Sequence, residues 1–205
     1  MIKLVQSKWI FITIFLWITA VGYGFDKLWT YSALAGSAAT AQDSWPTTSQ
    51  LPSNRDLPTL VMIIHPQCAC SRASLQVLKS ILPKISGQFH VQLLFYAPSS
   101  MPLAWAKSDI WESAEGLPGV HTFLDKDGVE AKLFGASTSG QVLLFGKSGD
   151  LLFSGGITAS RGHEGESTGS LALIDWVRTG FSLVRSTPVF GCHIFKNSDT
   201  TASMP

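Results

Sequence analysis

Two kinds of apolar pattern divide the chain. From Trp9 to Phe25 the stretch WIFITIFLWITAVGYGF carries no charge. That run is itself at the lower edge of the ~17–25 residues a bilayer core requires, and with its flanks it predicts a membrane-spanning helix over residues 9–29. After it the apolar runs are short and punctuated. Leu60–Ile64 is continuous, as in a strand covered on both faces. Leu75, Leu78 and Leu82 recur at i, i+3 and i+7, which predicts an amphipathic helix ended by Pro83. Phe89, Val91, Leu93 and Phe95 alternate with His90, Gln92, Leu94 and Tyr96 as a second strand, and Leu103–Glu115 has helical character. Val120–Phe123 predicts a third strand. Val142–Phe145 and Asp150–Phe153 predict a hairpin turning through Lys147-Ser148-Gly149, and Ser170–Thr179 a last helix.

The resulting order is β-α-β-α-β, then a β-hairpin, then α. Strands joined through helices favour parallel pairing, and the hairpin adds antiparallel strands. That is the layout of a thioredoxin-like α/β fold, a central mixed sheet flanked by helices, preceded here by a transmembrane helix. The expected organisation is a cytoplasmic N-terminus (1–8), the anchor (9–29), a flexible tether (30–57), the thioredoxin-like domain (58–195) and a C-terminal tail (196–205). The tether is assigned because SALAGSAATAQDSWPTTSQLPSNRDL is rich in Ala, Ser, Thr and Pro and lacks apolar periodicity.

Charge changes the picture only around the anchor. The net charge is +1, with 14% charged residues and no basic run, so a nucleic-acid surface is not expected. Lys3 and Lys8 precede the apolar run, whereas Asp26 and Lys27 offset each other after it. The positive-inside bias keeps the N-terminus in the cytoplasm and sends the domain across the membrane, into the periplasm of a Gram-negative bacterium. Trp9, Trp17, Tyr23 and Trp29 include side chains suited to the interfacial belts. A cleaved signal peptide is the competing reading, but Ala39-Thr40-Ala41 lies too far beyond the apolar run to be its cleavage site.

Candidate chemistry starts at His65-Pro66-Gln67-Cys68-Ala69-Cys70-Ser71, where the first strand hands over to the helix. Amide groups at a helix N-terminus stabilise a thiolate, which makes Cys68 the expected nucleophile. Cys70 is the expected resolving thiol. A C-x-C disulfide closes a smaller ring than C-x-x-C and is easier to reduce, which favours an oxidant or isomerase over a strong reductant. The same two thiols can turn toward a soft ion such as Cu(I), with His65, His163 or the Cys192-His193 pair as further ligands; a copper carrier for oxidase assembly is therefore the alternative function. Three cysteines cannot all pair within one chain. Cys192, in TPVFGCHIF, either folds back toward the C-x-C loop as a third participant or is an unpaired cysteine of an apolar tail. His65 lies close to Cys68 in sequence, and Arg161, His163, Glu164 and Glu166 form a polar insertion before the last helix. Asp125-Lys126-Asp127-Gly128 reads as a turn rather than a calcium loop, since the later ligand positions are missing.

The segments LVMIIHPQCACSRASL, GASTSGQVLLF, LLFSGGITASRGHEG and STPVFGCHIF resemble those of bacterial RedB-type, membrane-anchored thioredoxin-like proteins. The resemblance implies the fold and the N-terminal membrane anchor; the expected function is thiol–disulfide exchange with periplasmic or membrane protein thiols, with Cys68, Cys70 and Cys192 as the candidate participants. Set against ordinary thioredoxins, Ser71 stands where a resolving cysteine would be. Ser139-Gly140-Gln141 stands where a cis-proline loop would be, without the proline. His65, Gly140 and Arg161 are the positions expected to meet substrate.

Overall fold

The computed structural model describes residues 2–36 and 40–195, in two compact units, 1–34 and 35–205. Ala39 of the rejected cleavage site and the 196–205 tail lie outside the described residues.

The first unit is one helix, α1 (Ile2–Ala33). Its stretch Lys8–Ala33 is long and apolar enough to cross a membrane, with mean hydropathy 1.5 and no part of it buried by the protein. At about 1.5 Å per residue it exceeds the ~30 Å of a bilayer hydrocarbon core. Trp9, Phe15, Trp17, Phe25 and Trp29 are all more than 60% exposed, so from Trp9 to Trp29 the helix turns large apolar side chains outward. It fits a single-pass membrane anchor. The helix runs four residues past the expected end, because Trp29-Thr30-Tyr31-Ser32-Ala33 holds nothing that stops one.

The second unit is built on a five-stranded sheet in the order β3-β2-β1-β4-β5. β1 (Thr59–Ile64), β2 (His90–Ala97) and β3 (Val120–Lys126) run parallel; β4 (Gln141–Phe145) is antiparallel to β1, and β5 (Leu151–Gly156) antiparallel to β4. All six residues of β1 are buried. Alternate side chains of a strand point to opposite faces. Leu60, Met62 and Ile64 accordingly join the core under α2 (Ala69–Ile85) and α6 (Thr168–Thr179), while Val61 and Ile63 join a second core with Leu94, Leu143, Phe134 and Phe145. The unbroken apolar run needs both faces covered, and both are.

Part of the second cover comes from residues expected to be a tether. Trp45 sets its ring edge-on to Phe134 (5.0 Å) and Phe145 (5.3 Å), and Leu51 is buried. The Ser49 hydroxyl and the Gln50 amide both donate to the Glu130 carboxylate, and Gln92 donates to the Pro52 carbonyl. This segment has no periodicity because it forms no regular element. It is held by two isolated apolar anchors and by side-chain caps.

Three element boundaries also differ from expectation. α2 continues through Pro83 to Ile85, which extends the buried stripe of Leu75, Leu78 and Leu82; complete burial of Ile85 offsets the hydrogen bond that proline removes. The region 103–115 is two short helices, α3 (Leu103–Ala106) and α4 (Asp109–Glu115). At the break the Ser108 hydroxyl donates to the Pro66 carbonyl, and Arg72 pairs with Asp109 at 2.7 Å. The turn after β3 leads into a short helix, α5 (Val129–Leu133), whose first amides, Glu130 and Ala131, donate to the Asp125 carboxylate.

After α6 the chain returns along the outer edge of β5, where Ser154 and Ser186 form a β-bridge and the Ser154 amide donates to the Arg185 carbonyl. An edge strand's free amides and carbonyls invite pairing, and here the chain's own C-terminal segment takes them. The segment then crosses to the residues leading into β4, where His193 forms a bridge with Thr138.

Candidate functional site

The parallel β1–β2 pair aims the end of β1 at the turn 65–68, and α2 starts there. The His65 amide donates to the Ser71 hydroxyl, the Cys68 amide to the His65 carbonyl, and the Gln67 amide to His65 Nδ1. Cys68 is the residue that caps α2, with extended backbone (φ −107°, ψ 123°). Its side chain is buried, 3% exposed, and stands over the first-turn amides of Cys70 and Ser71.

The sulfur nearest to Cys68 is not that of Cys70. Cys192 Sγ lies 2.7 Å from Cys68 Sγ, across 124 residues of sequence, with both thiols unbonded. A disulfide needs about 2.05 Å, so side-chain movement of under an ångström joins them. Ser139 holds the pair in register. Its hydroxyl donates to Cys68 Sγ (3.5 Å) and accepts from the Cys192 amide (2.9 Å), while its own amide donates to the Cys192 carbonyl (2.8 Å). The Ile194 amide adds a bond to the Ser137 carbonyl. Gly191 is what lets the two backbones approach so closely, since a Cβ there would stand 1.8 Å from the Ser139 carbonyl oxygen. The Arg161 guanidinium donates to the Gly191 carbonyl at 2.8 Å and fastens the segment from the other side.

These contacts split the thiols electrostatically. Burial alone would raise the Cys68 pKa. The hydrogen bonds from the Cys192 thiol, the Ser139 hydroxyl and the Ser71 and Cys70 amides outweigh burial, and the Cys68 thiol is lowered to about 7. Cys192 is pushed up to about 12 by burial, by its hydrogen bond to Cys68 and by the two neighbouring sulfur charges, despite the favourable charge of Arg161. Cys70 is raised by burial and by the Cys68 charge, against a hydrogen bond from the Gly162 amide and the charge of Arg161. A proton shared between the sulfurs therefore resides on Cys192, and Cys68 carries the charge. Because the thiolate is the reactive form, alkylation of Cys68 is expected to slow about tenfold per pH unit below 7 and to level off above about pH 8. The rate profile of iodoacetamide labelling, read at the Cys68 peptide, checks this; a midpoint near 9 would contradict it.

The remaining sequence candidates take other places. His65 is half-buried between Tyr96 (ring centroids 6.0 Å, stacked) and Trp105 (5.3 Å, edge-on), and burial lowers its pKa. That shift disfavours the imidazolium, and His65 orders the turn by accepting from the Gln67 amide at Nδ1. Gly140 is buried with φ +81°, its amide donating to the Ile63 carbonyl and its Cα 's missing Cβ leaving room for the Ser74 hydroxyl. It lets the chain turn into β4 and does not face outward. All described peptide bonds are trans, including those of the Ser139-Gly140-Gln141 loop. His163 lies in the exposed loop, its amide donating to the Ser160 carbonyl. Among the described residues no three His, Cys, Asp or Glu side chains are grouped to hold a metal ion, so Cys68, Cys70 and His163 do not form the ligand set expected for copper. Ser139 and Gly191 were missed in the sequence. The Gly-Cys dipeptide at 191–192 is the signal that could have found the second, because a glycine beside a cysteine permits close backbone approach.

No protein-family model and no curated protein matches the chain. Among solved structures it is similar to an uncharacterized conserved protein from Geobacillus kaustophilus (17% identity, 80% of this chain and 99% of that one, TM-score 0.57). It is similar also to a hypothetical protein from Sinorhizobium meliloti 1021 (18% identity, 80% and 94%, TM-score 0.56). A secreted disulfide oxidoreductase from Mycobacterium tuberculosis matches at 10% identity, over 62% of this chain and 83% of that one, with a TM-score of 0.42. At such identities the likeness is one of fold. The strand order and the cysteine turn after β1 make this a thioredoxin-like domain, which follows an apolar N-terminal helix in the chain.

Proposed function

We propose that the protein is a membrane-anchored thiol–disulfide exchange protein of the RedB type, acting on protein thiols in the periplasm. The observation that carries the reading is the Cys68–Cys192 pair: two sulfurs 2.7 Å apart, one of them lowered to about 7. A thiolate next to a protonated thiol is the reduced form of a site that stores two electrons. Loss of those two electrons and the single Cys192 proton to an acceptor disulfide, which takes its second proton from water, leaves a Cys68–Cys192 bond, and the acceptor leaves as a dithiol. Orientation is supported by Lys3 and Lys8 ahead of the apolar run, which favour a cytoplasmic N-terminus and a domain in the compartment where disulfides persist. In this reading Cys70, buried under the Gly162 amide, modulates the charge at Cys68 rather than resolving it.

The test is peptide mapping of the full chain, extracted in detergent and exposed to a mild oxidant such as diamide. A Cys68–Cys192 disulfide with Cys70 alkylatable, reversed by dithiothreitol, is the expected result. Three unpaired thiols would overturn the proposal.

A further inference from the structure

Resting on that exchange reading, the geometry points to an inverted order of attack: the partner's thiol meets Cys192, and Cys68 is the internal thiol that it displaces. The argument begins with access. Cys68 is 3% exposed and lies beneath the segment carrying Gly191 and Cys192, with the Ser139 hydroxyl against its sulfur. Cys70 is 8% exposed, under the loop of Arg161 and Gly162. Cys192 is exposed. A nucleophile arriving from solvent therefore reaches the Cys192 side of a Cys68–Cys192 bond first.

Docking leads to the same side. The backbone leading into β4 offers the Ser137 carbonyl and the Ser139 amide, and both are already bonded to Ile194 and Cys192. An incoming chain cannot pair with that backbone to reach Cys68 from alongside unless it first strips off the C-terminal segment. A thiol that attacks Cys192 needs no such opening.

Leaving-group chemistry agrees with access. In thiol–disulfide exchange the thiol of lower pKa leaves faster. Attack at Cys192 expels Cys68, whose departing thiolate is received by the Ser71 and Cys70 amides and the Ser139 hydroxyl. Attack at Cys68 would expel Cys192, whose thiolate is disfavoured by desolvation more than it is favoured by the charge of Arg161.

The step balances as follows. A partner thiolate forms a bond to Cys192 Sγ as the Cys68–Cys192 bond breaks, and Cys68 takes the electron pair as a thiolate. The partner's second thiol, having lost its proton to solvent, attacks the partner sulfur of the mixed disulfide. It releases Cys192, which takes up a proton from water. The partner is oxidised to a disulfide by two electrons, and the Cys68–Cys192 pair is reduced.

The experiment uses the full chain in detergent, oxidised and cleared of oxidant. A brief pulse of glutathione is stopped with excess N-ethylmaleimide, and the three cysteine peptides are mapped. Glutathione on Cys192 with maleimide on Cys68, exceeding the reverse labelling by at least about tenfold, is the expected result. Glutathione on Cys68, or equal labelling of both, overturns the inverted order while exchange itself survives. A starting disulfide through Cys70 does the same. Failure to form any disulfide overturns the exchange reading and this inference with it.

Discussion

Cys68→Ser is expected to lower disulfide turnover with a small dithiol by at least about a thousandfold, because a hydroxyl neither ionises at neutral pH nor closes a disulfide with Cys192. Cys70→Ser is expected to stay within about threefold of the parent chain. The contrast comes from position within a single turn of α2. Cys68 caps the helix and faces Cys192, whereas Cys70 lies one residue inside it, under the amide of Gly162. Turnover is measured as dithiothreitol oxidation coupled to a disulfide acceptor. An equal loss in both variants would return the resolving role to Cys70 and leave Cys192 as a packed tail cysteine.

The second large effect is expected from the smallest possible change. Gly191→Ala introduces one methyl group, placed 1.8 Å from the Ser139 carbonyl oxygen, and neither backbone can yield without breaking the bonds that join them. The segment must lift. It then loses the Ser139–Cys192 and Ile194–Ser137 backbone bonds and exposes Ile194, which is 3% exposed when docked. Hydrogen bonds contribute about 0.5–1.5 kcal/mol each and burial of an isoleucine about 1.5–3 kcal/mol, so a loss of about 2.5–6 kcal/mol is expected. For a domain of this size that lowers the melting temperature by about 5–25 °C. With the Cys192 thiol withdrawn, burial regains weight over the remaining hydrogen bonds, and the Cys68 alkylation midpoint is expected to rise from about 7. A lowered melting temperature with an unmoved midpoint would show that Cys192 does not hold the Cys68 thiolate.

What was legible in the sequence was what local periodicity encodes. An uncharged run marked the long apolar N-terminal helix, and TLVMII marked a strand buried on both faces. The spacing of Leu75, Leu78 and Leu82 marked α2, and the element order marked the thioredoxin-like sheet. C-A-C marked the turn at which Cys68 caps α2, because a helix N-terminus favours a thiolate whatever the rest of the fold does. Contacts between irregular segments were not legible, since neither partner carries a period. Trp45 and Leu51 cover a sheet face from a stretch with the composition of a linker.

The cysteine pairing belongs to the same class. An odd number of cysteines showed only that one must differ from the others. By itself the sequence determined where the thiols lie along the chain and that Cys68 stands at a helix start. Tertiary structure alone decided that Cys192, 124 residues away, is the sulfur that faces it. That choice depends on the Ser139 backbone and on the room left by Gly191, and neither is visible until both segments are folded against each other.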